Sequence, residues 1–205
     1  YTGATWRQYT TSDGLASNSV QRIVRDGQGR MWFMTDQGLS VYDGVTWTTH
    51  NRTTGLPTNS FQSLFADSQG RIWAGLDWYE ASDHKYLAMY DGAGWRYWGQ
   101  TDTNYRLSCG VNGIAEAPDG ALWFSACNNF VTYDDGAWST PSISGGYSAS
   151  FMFDTRDNFW YNNNGLTVRW GGLDHAFTDG QWLSATRFQA SYDFDANVPP
   201  GYYAV

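Results

Sequence analysis

Asp26-Gly27-Gln28-Gly29-Arg30-Met31-Trp32, followed by Gly38-Leu39, Tyr42-Asp43-Gly44 and Trp47, is the stretch whose reading decides the fold. It returns as Asp67…Gly70-Arg71-Ile72-Trp73, Leu87, Tyr90-Asp91-Gly92 and Trp95. A looser copy runs Asp119-Gly120-Ala121-Leu122-Trp123, Tyr133-Asp134-Asp135-Gly136, Trp138, and a fourth keeps Asp154, Phe159-Trp160, Gly165-Leu166, Asp179-Gly180 and Trp182. The closing tryptophans Trp6, Trp47, Trp95, Trp138 and Trp182 are spaced by 41, 48, 43 and 44 residues. Self-similarity at that period means a stack of like supersecondary units, each burying its faces against the next.

Within one unit the apolar residues come in short runs with no sustained helical period, punctuated by Asp-Gly and Gly-rich turns. Four strands are expected in the first copy: Val20 to Arg25, Arg30 to Thr35, Leu39 to Tyr42 and Thr46 to His50. Asp and Gly tolerate the left-handed torsions of tight hairpins, so most aspartates read as turn formers. Four antiparallel strands per period predict an all-β fold, a β-propeller of four-stranded blades.

Composition narrows the function classes. The 205 residues carry a net charge of −8 and one lysine, Lys85, which argues against a nucleic-acid partner and against anionic membrane surfaces. No apolar run reaches the ~18–20 residues of a spanning helix, so no membrane insertion by this segment is expected. Of the 12 Trp, nine fall on repeat positions and read as blade packing; Trp78, Trp98 and Trp170 stand outside that pattern.

Gly55-Leu56-Pro57-Thr58-Asn59-Ser60, the Asp-x-x-Gly-Arg-Ile/Met-Trp step and Tyr-Asp-Gly-x-x-Trp together resemble the two-component regulator propeller repeat. That resemblance implies a bacterial extracytoplasmic location (periplasmic, surface or secreted) and a binding or sensing role, with no catalytic residue set. It spans about Trp6 to Trp182 and weakens in the last two copies, where the third has Arg106-Leu107-Ser108-Cys109 and the fourth Ser144-Gly145-Gly146 at the start of the unit.

A single domain over residues 1–205 is expected, with repeats at about 6–47, 47–95, 95–138 and 138–182. Tyr1-Thr2-Gly3-Ala4-Thr5-Trp6 aligns on Tyr42 to Trp47, and Arg187 to Asp195 and Gly201 to Val205 have strand character. Residues 1–9 and 183–205 are therefore expected to contribute a fifth, split blade; a segment of a larger propeller is the alternative.

The second unit is longer than the first because seven extra residues separate Leu76 from Leu87. The resulting loop holds Trp78, Tyr79, Glu80, Asp83, His84, Lys85 and Tyr86, aromatics and acids that suit stacking on a sugar with hydrogen bonds to its hydroxyls. The bland reading is a surface elaboration packed on the next blade. Asp36, Asn18 and Asn59 lie on the same loop-bearing face of the blades and complete the candidate ligand-binding set. Cys109 matches Asn18 and Cys127 matches Asp36 in position, so the two are expected to meet as a disulfide, an oxidising-compartment feature; two free thiols are the alternative. His50, His84 and His175 share no ligand spacing, and neither a metal nor another cofactor is expected. The leading expectation is a non-enzymatic module binding a glycan or other small ligand, carbohydrate first. A structural or adhesive protein working through protein partners or self-association is the second reading, and a propeller lyase or hydrolase the third.

Overall fold

The computed structural model describes residues 6–77, 79, 84–127, 129–143, 151–154, 156–162, 166–170 and 173–177. Among them, sixteen strands form four antiparallel sheets of four, each sheet pairing its strands in chain order. The first sheet holds β1 (Val20–Arg25), β2 (Met31–Thr35), β3 (Gly38–Tyr42) and β4 (Trp47–His50). The second holds β5 (Phe61–Ala66), β6 (Ile72–Leu76), β7 (Lys85–Tyr90) and β8 (Trp95–Gly99). The third comprises β9 (Val111–Glu116), β10 (Leu122–Ala126), β11 (Asn129–Asp134) and β12 (Ala137–Ser139). The fourth comprises β13 (Phe151–Phe153), β14 (Phe159–Asn162), β15 (Leu166–Trp170) and β16 (Leu173–Phe177). The first strands of successive sheets are neighbours, β1 beside β5, β5 beside β9 and β9 beside β13. The sheets therefore radiate from one axis as propeller blades.

Sequence chemistry closes each blade at the turns. Asp43 Oδ1 accepts from Val45 N and Thr46 N at 2.8 and 2.7 Å, Thr46 Oγ1 donates to Asp43 Oδ2, and Tyr42 OH reaches Gly44 O. These donors favour the anion and hold the Asp43 carboxyl at a pKa of about 2. Asp91 and Tyr90 repeat the turn in blade 2.

The recurring step at the other hairpin is more than a turn. Asp26 is buried, and its carboxylate accepts from the Trp32 indole at 2.8 Å, from Arg30 Nε at 2.6 Å, and from Gln28 N and Arg30 N. Burial pushes the carboxyl up, but Trp32, Arg30 and the backbone donors outweigh it and the net shift is downward. Asp67 holds Trp73 and Arg71 in the same way. Blade 3 has Ala117 and Ala121 at the two partner positions and so loses both charges together. In blade 4, Asp154 keeps Trp160, and Asn158 takes the arginine's place at 2.9 Å.

The blades meet through aromatic clusters. Trp32, Met34, Leu39 and Val41 of blade 1 pack on Phe61, Leu64, Ile72 and Ala74 of blade 2. Trp73, Leu87 and Met89 pack on Val111, Ile114, Leu122 and Phe124 of blade 3. A smaller cluster of Trp123, Phe130, Phe151, Phe159 and Tyr161 joins blades 3 and 4. Trp98 belongs to this packing, stacked 5.4 Å from Trp73 and touching Trp138. On the first blade the same positions stay uncovered: Val20 and Ile23 are 38% and 53% exposed, where Leu64 and Ile114 are buried by the preceding blade.

In the fourth sheet β15 pairs with β16, Trp170 opposite Leu173. Trp182, the expected closing residue of the fourth repeat, lies outside the described residues. Of the expected fifth blade, over residues 1–9 and 183–205, residues 6–9 are described and form no strand, and residues 1–5 and 183–205 lie outside the described residues.

Candidate functional site

The β2–β3 and β4–β5 connections, and their counterparts in later blades, share one end of the propeller. At blades 1 and 2 this end is regular. A short 3₁₀ turn (Thr11–Asp13, Arg52–Thr54) closes on a left-handed glycine, Gly14 or Gly55. A buried leucine follows, Leu15 or Leu56. Asn18 Oδ1 accepts from Thr11 N at 2.9 Å, and Asn59 Oδ1 accepts from Arg52 N at 2.8 Å. These two candidates therefore have a bracing duty, which their recurrence in the repeat reflects.

Between blades 2 and 3 the regular pattern gives way. Asp77 follows β6; its N–H donates to Ser60 O, and its carboxylate accepts from Ser60 Oγ and Tyr79 N. Tyr79 is 79% exposed. His84 precedes β7 with φ 53°, and its carbonyl lies against Gly99, where a Cβ would come within 1.9 Å of it. Lys85 Nζ then reaches Asp102 Oδ2 at 2.6 Å. Lys85, and the backbone N–H of Gly99 that shares the same oxygen, hold the Asp102 carboxyl below the usual range. This ion pair ties the end of the insertion to the loop leading into blade 3.

That loop is anchored again at its middle and its end. Thr103 is buried; its hydroxyl donates to Gly99 O at 2.8 Å and accepts from Leu107 N at 3.0 Å. Leu107 fills the place of Leu15 and Leu56. Cys109 and Cys127 are joined by a disulfide, Cα atoms 5.7 Å apart, so the loop is covalently fixed to the end of β10. Gly110 beside it admits Gln62 and the Leu76 carbonyl too closely for any side chain.

The candidate residues thus separate. Tyr79, His84 and Asp36 lie at the exposed end. Tyr86 does not: its ring is buried in the core between blades 2 and 3, with its OH 3.4 Å from His84 Nδ1, so it is withdrawn as a stacking surface. Trp78, Glu80 and Asp83 lie outside the described residues. Sequence reading passed over Asp102, Thr103 and Tyr105, because their loop has no counterpart in the repeat; the buried Leu107 was the available signal for aligning it. It also read Asp26 and Asp67 as turn residues, although an aspartate six residues before the tryptophan in three of four copies marks an indole acceptor. Among the described residues no group of three or more His, Cys, Asp or Glu converges to hold a metal ion, and no helix is long and apolar enough to cross a membrane.

Residues 14–37 and 55–78 match the sequence profile of the two component regulator propeller. Both matches cover the entry glycine, the Asp-x-x-Gly-Arg step and the indole it holds. No curated protein matches the chain by sequence. Among solved structures it is similar to the extracellular domain of a putative hybrid two component system from B. thetaiotaomicron, with a TM-score of 0.66 and 20% identity over 80% of this chain. The match takes in 23% of that chain, so this one spans under a quarter of its neighbour. A streptogramin B lyase is similar at a TM-score of 0.59 and 18% identity, over 80% of this chain and 56% of that one. A gluconolactonase from Xanthomonas campestris is similar at 0.55 and 17%, over 80% and 64%. At these identities the likenesses establish the propeller fold of the repeats.

Proposed function

We propose that this chain is a non-enzymatic, extracytoplasmic propeller module that binds a ligand at the loop-bearing end of blades 2 and 3, with carbohydrate as the ligand class. The observation that carries the reading is the clustering of departures from the repeat. The insertion after Leu76, the Lys85–Asp102 pair and the Cys109–Cys127 disulfide all fall at that one end. A rigid scaffold that varies its loops in one place is the usual plan of a binding site. Exposed aromatic rings beside carboxylates suit a neutral, polyhydroxylated ligand, which takes stacking on its apolar faces and hydrogen bonds at its hydroxyls. Trp78, Tyr79, Glu80, Asp83, His84 and Asp36 are the residues proposed to serve it. The extracytoplasmic placement is supported by the disulfide and by the neighbour named as an extracellular domain. The neighbours named as a lyase and a gluconolactonase lend this chain a fold and no catalytic residues.

A panel of neutral oligosaccharides, tested by array and by thermal shift, decides the matter. Saturable binding to at least one, weakened by Trp78→Ala or Tyr79→Ala, is expected; no binding to any sinks the carbohydrate reading. One observation favours a second reading, a protein–protein role: Val20 and Ile23 present apolar surface on blade 1 that the other blades cover. Concentration-dependent self-association in light scattering, abolished by Ile23→Glu, is what that reading requires.

A further inference from the structure

Among the described residues, six that are not glycine have left-handed backbones. Asp135 and Asp157 sit in tight turns at the end of the propeller away from the insertion, where aspartate is tolerated. The other four are His84, Asn104, Tyr105 and Cys127, with φ of 53°, 49°, 61° and 53°. All four lie at the loop-bearing end of blades 2 and 3, and they are physically joined. His84 is packed on Gly99 and adjoins Lys85, which pairs with Asp102; Cys127 is bonded to Cys109 at the far end of the same loop. Strain concentrated in one place, and held there by cross-links, is characteristic of sites whose geometry is used for recognition.

Tyr105 is the most telling of the four. A bulky side chain with positive φ is a genuine outlier. In the connections before blades 1 and 2 one left-handed residue suffices, Gly14 or Gly55, its N–H bonded three residues back; Asn104 makes that bond here, to Thr101 O, and Tyr105 is a second left-handed residue after it. Both lie ahead of the buried Leu107. The fold gains nothing visible from a tyrosine there. The hydrogen bond from Tyr105 N to Gln100 O at 2.7 Å would be made equally by glycine, and the ring is 68% exposed rather than packed.

We propose that Tyr105 is a ligand-contacting residue, its ring the stacking face for a pyranose at this end of the propeller; this rests on the carbohydrate reading above. The surrounding loop suits the task. The Thr103 hydroxyl, the Asp102–Lys85 pair and the disulfide fix the backbone on both sides, so the ring is displayed with little ordering left to do on binding. Tyr79, on the insertion at the same end of the blades, is also exposed.

The test compares wild type, Tyr105→Gly and Tyr105→Phe by melting temperature and by binding to the neutral oligosaccharide panel. Glycine relieves the left-handed strain, so Tyr105→Gly is expected to melt at or above wild type while its affinity falls by about tenfold or more. Tyr105→Phe, which keeps the ring, is expected to bind like wild type. If wild type and Tyr105→Gly bind a sugar equally, the carbohydrate reading stands and this assignment alone falls. A lowered melting temperature for Tyr105→Gly overturns it too, since the ring would then be structural. If wild type binds no sugar in the panel, both readings fall together.

Discussion

Trp95 donates its indole N–H to Nδ1 of His50 at 3.4 Å, across the boundary between the first and second blades. The imidazole also stacks on Trp32, ring centroids 5.4 Å apart and planes within 8°. An accepting Nδ1 requires the neutral ring. Burial lowers the His50 pKa below its ordinary 6.5, and the nearby Arg30 charge lowers it further. Because the unfolded chain takes up this proton first, the contribution of neutral His50 is complete above about pH 6.5 and is lost as the pH falls through the folded value. Urea midpoints measured between pH 7.5 and pH 5 should therefore fall on acidification, and more steeply for wild type than for His50→Phe.

The Asp26 carboxylate serves Trp32 and Arg30 at once, so removing it strands both. Asp26→Ala should cost about 3 kcal/mol, in the range for breaking a largely buried charge pair. The double variant Asp26→Ala/Arg30→Ala reproduces the Ala117/Ala121 arrangement of blade 3 and should cost less than the sum of the single changes. Strict additivity in chemical denaturation would contradict the coupling.

Cys109 and Cys127 are 18 residues apart, and closing a loop of that size stabilises by about 3 kcal/mol in the chain-entropy account. The double variant Cys109→Ser/Cys127→Ser should lower the denaturation midpoint accordingly. It should also raise amide exchange between residues 100 and 110, with the first blade unaffected.

Two glycines make a paired test of blade spacing. A Cβ on Gly75 would fall 1.9 Å from Val111 O, backbone that has no room to yield, whereas one on Gly94 would meet nothing within 4 Å. Gly75→Ala is expected to destabilise by about 3 kcal/mol or to prevent folding, and Gly94→Ala to stay within about 0.5 kcal/mol of wild type. Equal melting temperatures for the two would refute the close approach of β6 to β9.

Where the repeat holds, the sequence was readable almost to the residue. β1 occupies Val20–Arg25 as expected, and β2 to β4 begin within one residue of their expected starts, because turn chemistry and alternation agree there. Trp182, the expected close of the fourth repeat, lies outside the described residues. Site legibility was lower. The cysteine pair and the insertion showed themselves as interruptions of a pattern. Tyr105 sits in a loop with no pattern to interrupt, and its left-handed backbone exists only in three dimensions. Tyr86 looked like its neighbours in composition, but as the second residue of β7 it turns inward to the core.

The aromatic clusters between blades have a consequence for how the molecule comes apart. Each joins one blade only to the next, so cooperativity is passed from neighbour to neighbour rather than shared through one common core. Among the described residues the cluster between blades 3 and 4 is the smallest, and blade 3 lacks the aspartate that accepts from the indole in the others. Denaturation should then begin by detaching the fourth blade, leaving a partly folded species of three, and a single unfolding free energy would describe neither step.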